Sequence, residues 1–305
     1  MPAPLSFGIE IVGDGIGEHR PAALAARLEA AGVSYWVIGA GRDEPAASAA
    51  SLDATVIATI AARHSTGLGL VIAAAAHRDH PYNLARRLLS VDHAAQGRVG
   101  WFALDADRRL ALNASEDSWT GAALEARHTA DAVAAVRALW RSWPLESVVG
   151  DVATGVFADI AQIRQADVHR GYTISGPMNV PGSVQGDLPV WQRAGGHSGG
   201  ADLVVVEQDE PLPDSPAVVR VRSVRRLSGV LSEPFGVVGV LARVTTQELD
   251  TVLDELLPRA RERKLVAAPS VGTLRHRLAL TVPAEPDLST NSLAFSGVPT
   301  PGGRL

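Results

Sequence analysis

Four short apolar runs alternate with longer amphipathic segments in the first 140 residues. The apolar runs predict buried strands at residues 7–12, 35–39, 67–75 and 99–104. The segments between and after them carry apolar residues at helical spacing, which predicts helices at residues 21–31, 52–63, 82–94 and 121–140. Strands that alternate with helices in this way are typical of an α/β fold with a parallel sheet.

The pattern changes after residue 143. Residues 143–187 are rich in glycine, proline and polar residues and predict a long excursion that can hold a hairpin, and residues 282–305 form a Pro/Ser/Gly-rich tail. Strands are predicted at residues 188–193, 203–206, 218–221 and 237–241, and a helix at residues 246–264. Eight strands are the number in a TIM (β/α)8 barrel. Connections such as residues 207–216 are shorter than a helical crossover, so we predict one α/β barrel domain over residues 1–305 with a trimmed or irregular second half.

The amino-acid composition argues against several classes of function. Hydrophobic residues make up 46% of the 305 residues, enough for a substantial core, and a net charge of −5 without clustered basic residues argues against nucleic-acid binding. The chain has no cysteine, which excludes disulfides, thiolate catalysis and cysteine-ligated zinc. No signal peptide is visible at the N-terminus, and the apolar stretch at residues 66–76 is shorter than the about 20 residues of a membrane span. A cytoplasmic protein without a membrane segment is therefore expected.

Several short motifs carry a family resemblance. They read PYNLARR at residues 81–87, GRVGW at 97–101, ALWRSW at 138–143, GVFAD at 155–159, GPMNVP at 176–181 and TLRHRL at 273–278. In this order they resemble the bacterial-luciferase-like, or class C, flavin monooxygenases, in the branch that includes the nitrilotriacetate and dibenzothiophene-sulfone monooxygenase components. Members of this branch are longer, and the material that this chain lacks lies after Gly200.

The resemblance implies a TIM-type barrel that uses reduced FMN and oxygen to oxidise a small organic substrate. The cofactor carries the chemistry, while the protein holds the flavin ring and the phosphate and excludes water. A separate flavin reductase that supplies the reduced FMN is therefore an expected partner. A homodimer is also implied, because the family usually pairs through helices of the first barrel half, here residues 52–63 and 82–94.

Several of the flavin contacts that the resemblance implies are replaced in this chain. Ala40, Ala74, Phe102 and Ala106 stand where the branch usually has an acidic residue, threonines and an Asn-x-x-Thr-Ser run, and His128 stands where tyrosine is usual. Each lost hydrogen bond would cost about 0.5–1.5 kcal/mol, so we expect weak or absent FMN binding. Two hypotheses stay open: a flavin-dependent monooxygenase, and a non-catalytic luciferase-like homologue that acts as a partner or binding protein.

A glycine-rich turn after the strand predicted at residues 188–193 is the candidate phosphate site. Its expected cofactor contacts are Arg193, Gly195, Gly196, His197, Ser198 and Gly199. The backbone N–H groups of such a turn and the Ser198 hydroxyl can bind a phosphate, with charge from Arg193 or His197. The alternative is a flexible turn left by a deletion, because no helix is predicted directly after it.

Three histidines are candidate catalytic residues. His77 and His80 follow the third predicted strand, on the face where TIM barrels place their active sites, and His128 lies in the fourth predicted helix. An unperturbed imidazole titrates near pH 6.5, so each could donate a proton or contact a substrate. The alternatives are a metal site at His77 and His80, for which a third ligand is missing, and a helix-surface role for His128. No metal site is predicted.

Overall fold

The computed structural model describes residues 4–15, 20–44, 52–108, 115–195, 200–231, 236–268 and 270–295. Eight parallel strands close into a barrel in which every strand pairs with its sequence neighbours. The strands are β1 (Ser6–Ile11), β2 (Tyr35–Ile38), β3 (Gly69–Ala74), β4 (Val99–Ala103), β5 (Val190–Arg193), β6 (Leu203–Glu207), β7 (Ala217–Val221) and β8 (Gly239–Val244). The predicted TIM-type α/β barrel is confirmed, and each strand lies within a few residues of its predicted position.

Helices cover the first half of the barrel in the predicted order. They are α1 (Pro21–Ala30), α2 (Ala54–Arg63), α3 (Pro81–Ala94) and α4 (Ala126–Ser142). Proline opens α1 and α3, where its missing N–H has no helical partner to lose, and the Asp53 side chain caps α2 by accepting from Thr55 N at 2.8 Å. The predicted start of α4 was five residues too early, because Asp117 folds the preceding loop into a turn by accepting from Trp119 N at 2.7 Å.

The second half of the barrel is reduced, as the short connections predict. In the described part of the chain, no α-helix joins β5 to β6 or β6 to β7, and α5 (Val224–Val230) lies between β7 and β8. The helix predicted at residues 246–264 is a π-helix, Thr251–Leu256, that continues into α6 (Leu257–Glu262). Pro258 has no N–H to donate to the preceding turn, which accounts for this irregularity. Within the same described residues, no helix is long and apolar enough to cross a bilayer.

The interior of the barrel is a packed core. Tyr35 and Trp191 are fully buried and pack edge to face, with ring centroids 5.0 Å apart. Glycines on neighbouring strands make room for them, since a Cβ at Gly8 would lie 1.9 Å from the Tyr35 ring. A short helix, α7 (Leu274–Arg277), covers the N-terminal end, where Leu274 packs against Gly69 and Gly100. The opposite, C-terminal end is therefore where a ligand would have to enter.

The excursion at residues 143–187 contains two antiparallel hairpins, Val148–Asp151 with Val156–Ala158 and Val168–Arg170 with Tyr172–Ile174. A buried ion network anchors the end of this segment to the barrel. Arg137 and Arg141 of α4 bind Asp187 at 2.8 and 2.7 Å, and Arg275 of α7 binds Asp202 at 2.9 Å. Arg141 and Arg275 belong to the family-like motifs, so these motifs serve the scaffold and are not themselves evidence of flavin binding.

Candidate active site at the barrel mouth

Five neighbouring strands each place one charged side chain at the C-terminal end of the barrel, where TIM barrels hold their ligands. Each of these residues follows an inward-facing residue of the barrel interior by two positions, so it also points inward. In sheet order from β1 through β8 to β5, they are Glu10, Arg243, Arg220, Glu207 and Arg193. We call these five residues, together with Asp43, Glu44 and Arg222 at the rim, the charged layer.

Arg220 and Glu10 form the buried centre of the charged layer. The guanidinium donates to the carboxylate twice, with an Nε–Oε2 distance of 2.7 Å and an Nη2–Oε1 distance of 2.5 Å, and the two side chains are 0% and 2% exposed. Arg243 approaches the same carboxylate, with its Nε 3.2 Å from Oε1. Burial lowers the pKa of Arg220, but the attraction of Glu10 outweighs burial and the pKa is raised. The guanidinium therefore stays charged.

A second tier of ion pairs lies over that centre. Glu44 accepts from the two Nη atoms of Arg243 at 2.5 and 2.6 Å and from Arg222 at 2.9 Å. Glu207 accepts from Arg222 at 2.8 Å on each oxygen and from Arg220 at 3.1 Å. Burial raises the pKa of both carboxyls, but these arginines outweigh it, so the pKa of Glu44 falls to about 2 and that of Glu207 is lowered. Both carboxylates are charged at neutral pH.

The other side of the mouth is apolar. Ala40 and Phe102, two positions at which the family's polar contacts are replaced, are fully buried. The Arg193 guanidinium lies 5.6 Å from the centre of the Phe102 ring and binds Asp43 at 2.7 Å, so Arg193 bridges the two sides. The charged layer as a whole is neutral, because its four arginines are matched by the four carboxylates Glu10, Asp43, Glu44 and Glu207.

The residues present at this mouth do not fit FMN in the arrangement described. Three cavities that the described residues line at this end have volumes of about 90, 20 and 10 Å³. Pockets for organic ligands usually measure about 300–1,000 Å³. The Glu10–Arg220 pair occupies the centre, and separating it would leave buried charges without partners, which costs about 3–5 kcal/mol. No step of flavin chemistry is therefore assigned to this mouth.

Part of the candidate phosphate turn falls within the described residues. Arg193 and Gly195 line the cavity of about 90 Å³, and Gly195 has a φ of +101°, a backbone conformation that favours glycine. Arg193 already binds Asp43 and lies 3.4 Å from Glu207, so its charge is compensated. The remaining predicted contacts lie outside the described residues: Gly196, His197, Ser198 and Gly199. The phosphate cradle stays a prediction.

His128 belongs to a buried hydrogen-bonded group with Asp117 and Tyr172. Its Nε2 lies 2.9 Å from Asp117 Oδ2 and 2.8 Å from the Tyr172 hydroxyl, which donates to the same Asp117 oxygen at 2.7 Å. Burial and Asp117 raise the pKa of Tyr172. Burial raises the pKa of Asp117, but the hydrogen bonds from His128 and Tyr172 outweigh it and the pKa is lowered. The helix-surface alternative for His128 is wrong, because this residue is 7% exposed.

His80 lies beside this group, and His77 lies three residues earlier in the chain. The His80 ring meets the Trp119 and Tyr172 rings edge to face, at centroid distances of 5.5 and 6.0 Å. His77 Nε2 accepts from the backbone N–H of Asp107 at 2.7 Å. Burial lowers the pKa of both histidines and outweighs the nearby carboxylates. Both rings are therefore neutral at pH 7.

The Asp117–His128–Tyr172 group has the composition of an acid–base relay, in which a carboxylate orients an imidazole. Its polar atoms bond to one another, however, and they tie the loop at residues 115–125 to α4 and to the second hairpin. We therefore interpret it as a latch between these elements. Among the residues that the structure describes, no three histidine or acidic side chains converge on a metal site.

Apart from Arg193, which was a candidate phosphate contact, the residues of the charged layer were not singled out from the sequence. A signal was present, because Val218 and Arg220 occupy alternate positions of β7 and so share one face of the strand, and Arg222 continues the alternation directly after it. Glu10 and Arg243 are likewise charged residues, each second to last in an otherwise largely apolar strand. Asp117 could have been found from the turn-forming run Asp-Ser-Trp-Thr at residues 117–120. Tyr172 offered no local signal.

Comparison with known proteins gives partial matches. No family model matches the chain. It is 36% identical to dibenzothiophene-sulfone monooxygenase of Rhodococcus erythropolis over 150 residues, which are 47% of this chain and 31% of that protein. It is 29% identical to one subunit of the pristinamycin IIA synthase of Streptomyces pristinaespiralis over 158 residues, 51% of each chain. The chain thus spans between 31% and 51% of the length of these relatives.

The fold agrees with a solved monooxygenase over most of the chain. Long-chain alkane monooxygenase (LadA) superposes with a TM-score of 0.66 at 14% identity, and the match covers 92% of this chain and 96% of that one. The closed order of eight parallel strands and the missing helices after β5 and β6 in the described residues define a TIM-type α/β barrel with a reduced second half. The match of 150 residues to the sulfone monooxygenase confirms the resemblance of the sequence motifs to the luciferase-like monooxygenases.

Proposed function

We propose that this chain is a luciferase-like barrel that binds no flavin in its own mouth and acts as the partner subunit of a flavin-dependent monooxygenase for a small organic substrate. The observation that carries the proposal is the Glu10–Arg220 pair, whose side chains are 2% and 0% exposed at the end where a ligand would enter. A neutral layer whose charges bond to one another leaves little space and few unpaired groups for a flavin ring.

The subunit role is supported by one of the relatives. The protein from Streptomyces pristinaespiralis is by its name one subunit of a synthase, and the aligned segment covers the same share, 51%, of that protein and of this chain. The barrel keeps its buried ion network around Asp187 and Asp202, although its mouth is closed. These two features fit a subunit that supports a catalytic chain.

Coexpression tests the subunit role. This chain is produced together with longer luciferase-like monooxygenases of the same genome, and complexes are isolated by size exclusion and loaded with FMN. We expect a complex of one chain each that holds one FMN per pair, read from the visible absorbance of the flavin. Two FMN per pair would contradict the proposal, and so would the failure of every candidate chain to form a complex.

A second candidate function is that the chain is itself the FMN-dependent monooxygenase, supplied with reduced FMN by a separate flavin reductase. The 36% identity to a monooxygenase favours it. In that case the charged layer would rearrange, the turn that contains Arg193, Gly195 and Ser198 would hold the phosphate, and His77, His80 or His128 would move protons. Oxygenation of dibenzothiophene sulfone in the presence of a reductase, lost in His80→Ala, would support this candidate.

The phosphate turn gives that second candidate a further test. Ser198→Ala should weaken FMN binding by about 1–2 kcal/mol, and riboflavin, which lacks the phosphate, should bind far worse than FMN. Equal binding of riboflavin and FMN would remove the turn from the site.

Without its partner, we propose that the chain pairs with itself through α2 and α3. Val56 of α2 is an apolar residue that is 48% exposed. Light scattering at micromolar concentration should give the mass of a dimer, and a monomer would count against this interface. The cytoplasmic location stays a prediction.

A further inference from the structure

A cavity of about 90 Å³ lies where the ends of β4 and β5 meet the first residue of α4. Asp105, Ala126, Gln192 and Gly195 are among the residues that line it. Because one water needs about 10–15 Å³ of such space, the cavity has room for roughly six to nine non-hydrogen atoms. FMN is several times larger, so an occupant of this cavity has to be a different and smaller molecule.

Gln192 is the residue that points to a ligand. It is 4% exposed, and its Oε1 atom is buried without a hydrogen-bond partner. The amide nitrogen of Gln192 also makes no hydrogen bond with the described residues. A buried acceptor without a hydrogen bond destabilises a fold, and the amide can turn over so that either its oxygen or its nitrogen faces the cavity. Its position in the wall of a cavity therefore suggests that a bound molecule completes its hydrogen bonds.

The charges around the cavity disfavour an anion. Asp105 lies at its rim, and one carboxylate oxygen accepts from Thr129 Oγ1 at 2.5 Å in the first turn of α4, while the other has no partner among the described residues. The Asp105 carboxylate already compensates the positive end of the α4 dipole. Arg193 adds no uncompensated charge, because it binds Asp43 at 2.7 Å. An anion would therefore face an unpaired carboxylate oxygen.

We propose that this cavity binds a small neutral molecule that carries a primary carboxamide. A carboxamide has an acceptor oxygen and two donor hydrogens, so it can bond to the Gln192 amide and donate its second N–H to Asp105. The first turn of α4 adds backbone donors near Ala126, because its N-cap residue Glu125 makes no side-chain cap. This site goes beyond the partner-subunit function and does not depend on FMN.

Three probes of equal size and shape test the proposal: propionamide, propionate and propionamidinium, which are neutral, negative and positive. Each is titrated into the full-length chain and followed by the NMR signal of the Gln192 side-chain amide, assigned with the Gln192→Met variant. We expect saturable binding of propionamide and at least about tenfold weaker binding of both ions. Binding to Gln192→Met, followed by ligand signals, should fall by at least about tenfold as well.

The control is Gln162→Met, which makes the same chemical change at an exposed glutamine that bonds Asp159 and should leave binding unchanged. Gln192→Met keeps the side-chain length and removes an unpaired amide, so its unfolding temperature should be equal or higher. If that variant fails to fold, the three probes on the unaltered chain still decide the matter.

Propionate binding as tight as propionamide binding would overturn the proposal in favour of an anion cradle. Equal binding to Gln192→Met would overturn it too, and so would no saturable binding of any probe, which would mean that the cavity holds water. None of these outcomes bears on the partner-subunit function, which the FMN content of the complex tests separately.

Discussion

The substitution Arg220→Met tests whether the buried Glu10–Arg220 ion pair holds the barrel mouth closed. Arg220→Met keeps an apolar side chain of similar length but removes the guanidinium. The Glu10 carboxylate, whose side chain is 2% exposed, is then left with Arg243 at 3.2 Å as its remaining ionic neighbour. Loss of one partner of a buried ion pair costs about 3–5 kcal/mol. We expect a decrease of that size in the free energy of unfolding at neutral pH.

Two further variants separate the ion pair from general packing. Glu10→Leu added to Arg220→Met removes the stranded charge, and apolar replacement of a whole buried pair is often neutral or stabilising. Most of the lost stability should therefore return in the double variant. Arg226→Met is the matched control, because it breaks a surface pair with Asp209 whose side chains are 58% and 78% exposed. Its cost should stay below about 1 kcal/mol.

Urea unfolding followed by circular dichroism and tryptophan fluorescence provides these free energies if both signals change in one transition. A cost for Arg220→Met that matches the surface control, below about 1 kcal/mol, would refute the reasoning. It would mean that water reaches Glu10 and that the mouth is open. A double variant no more stable than the single one would show that the cost comes from packing and not from the stranded charge.

Three further predictions concern the effect of low pH and the substitutions Tyr172→Phe and Gly8→Ala. Glu44 and Glu207 have pKa values in the folded state below the unfolded value of about 4.3. The stability that they provide at neutral pH is therefore lost as the pH falls from about 4.3 toward the folded pKa of Glu44, about 2. A urea midpoint that does not change over this pH range would contradict this. Tyr172→Phe removes a hydroxyl 2.7 Å from a buried carboxylate and should cost about 1–3 kcal/mol, and an unchanged unfolding temperature would argue against the latch. Gly8→Ala puts a Cβ 1.9 Å from the Tyr35 ring and should cost at least about 1–3 kcal/mol in urea unfolding, whereas wild-type stability would mean that the interior is loosely packed.

The barrel could be predicted from the sequence because its signals are local. Each strand is a short apolar run that ends at a turn, and the regular helices of the first half carry apolar residues at helical spacing. The reduction of the second half followed from loop lengths alone, since the nine residues between β6 and β7 cannot form a full crossover helix. The start of α4 was misjudged, because the Asp117 turn competes with the helix for the same backbone.

The site could be predicted only in part, because its contacts join residues far apart in the chain. Glu10 and Arg220 are separated by 210 positions and meet through strand register, which single-sequence patterns do not provide. The loss of polar contacts at Ala40 and Phe102 was visible in the sequence. The charges that fill the opposite side of the mouth became evident once the barrel was closed.

Titration of the purified chain with FMN, followed by calorimetry, tests the closed mouth most directly. We expect no measurable heat, or a dissociation constant above roughly 100 µM, because the contacts replaced at Ala40, Ala74, Phe102 and Ala106 each forfeit about 0.5–1.5 kcal/mol and 1.4 kcal/mol is a factor of ten. Submicromolar binding that Ser198→Ala leaves unchanged would contradict this. It would mean that the charged layer opens and that the apolar wall holds the flavin ring by stacking and burial.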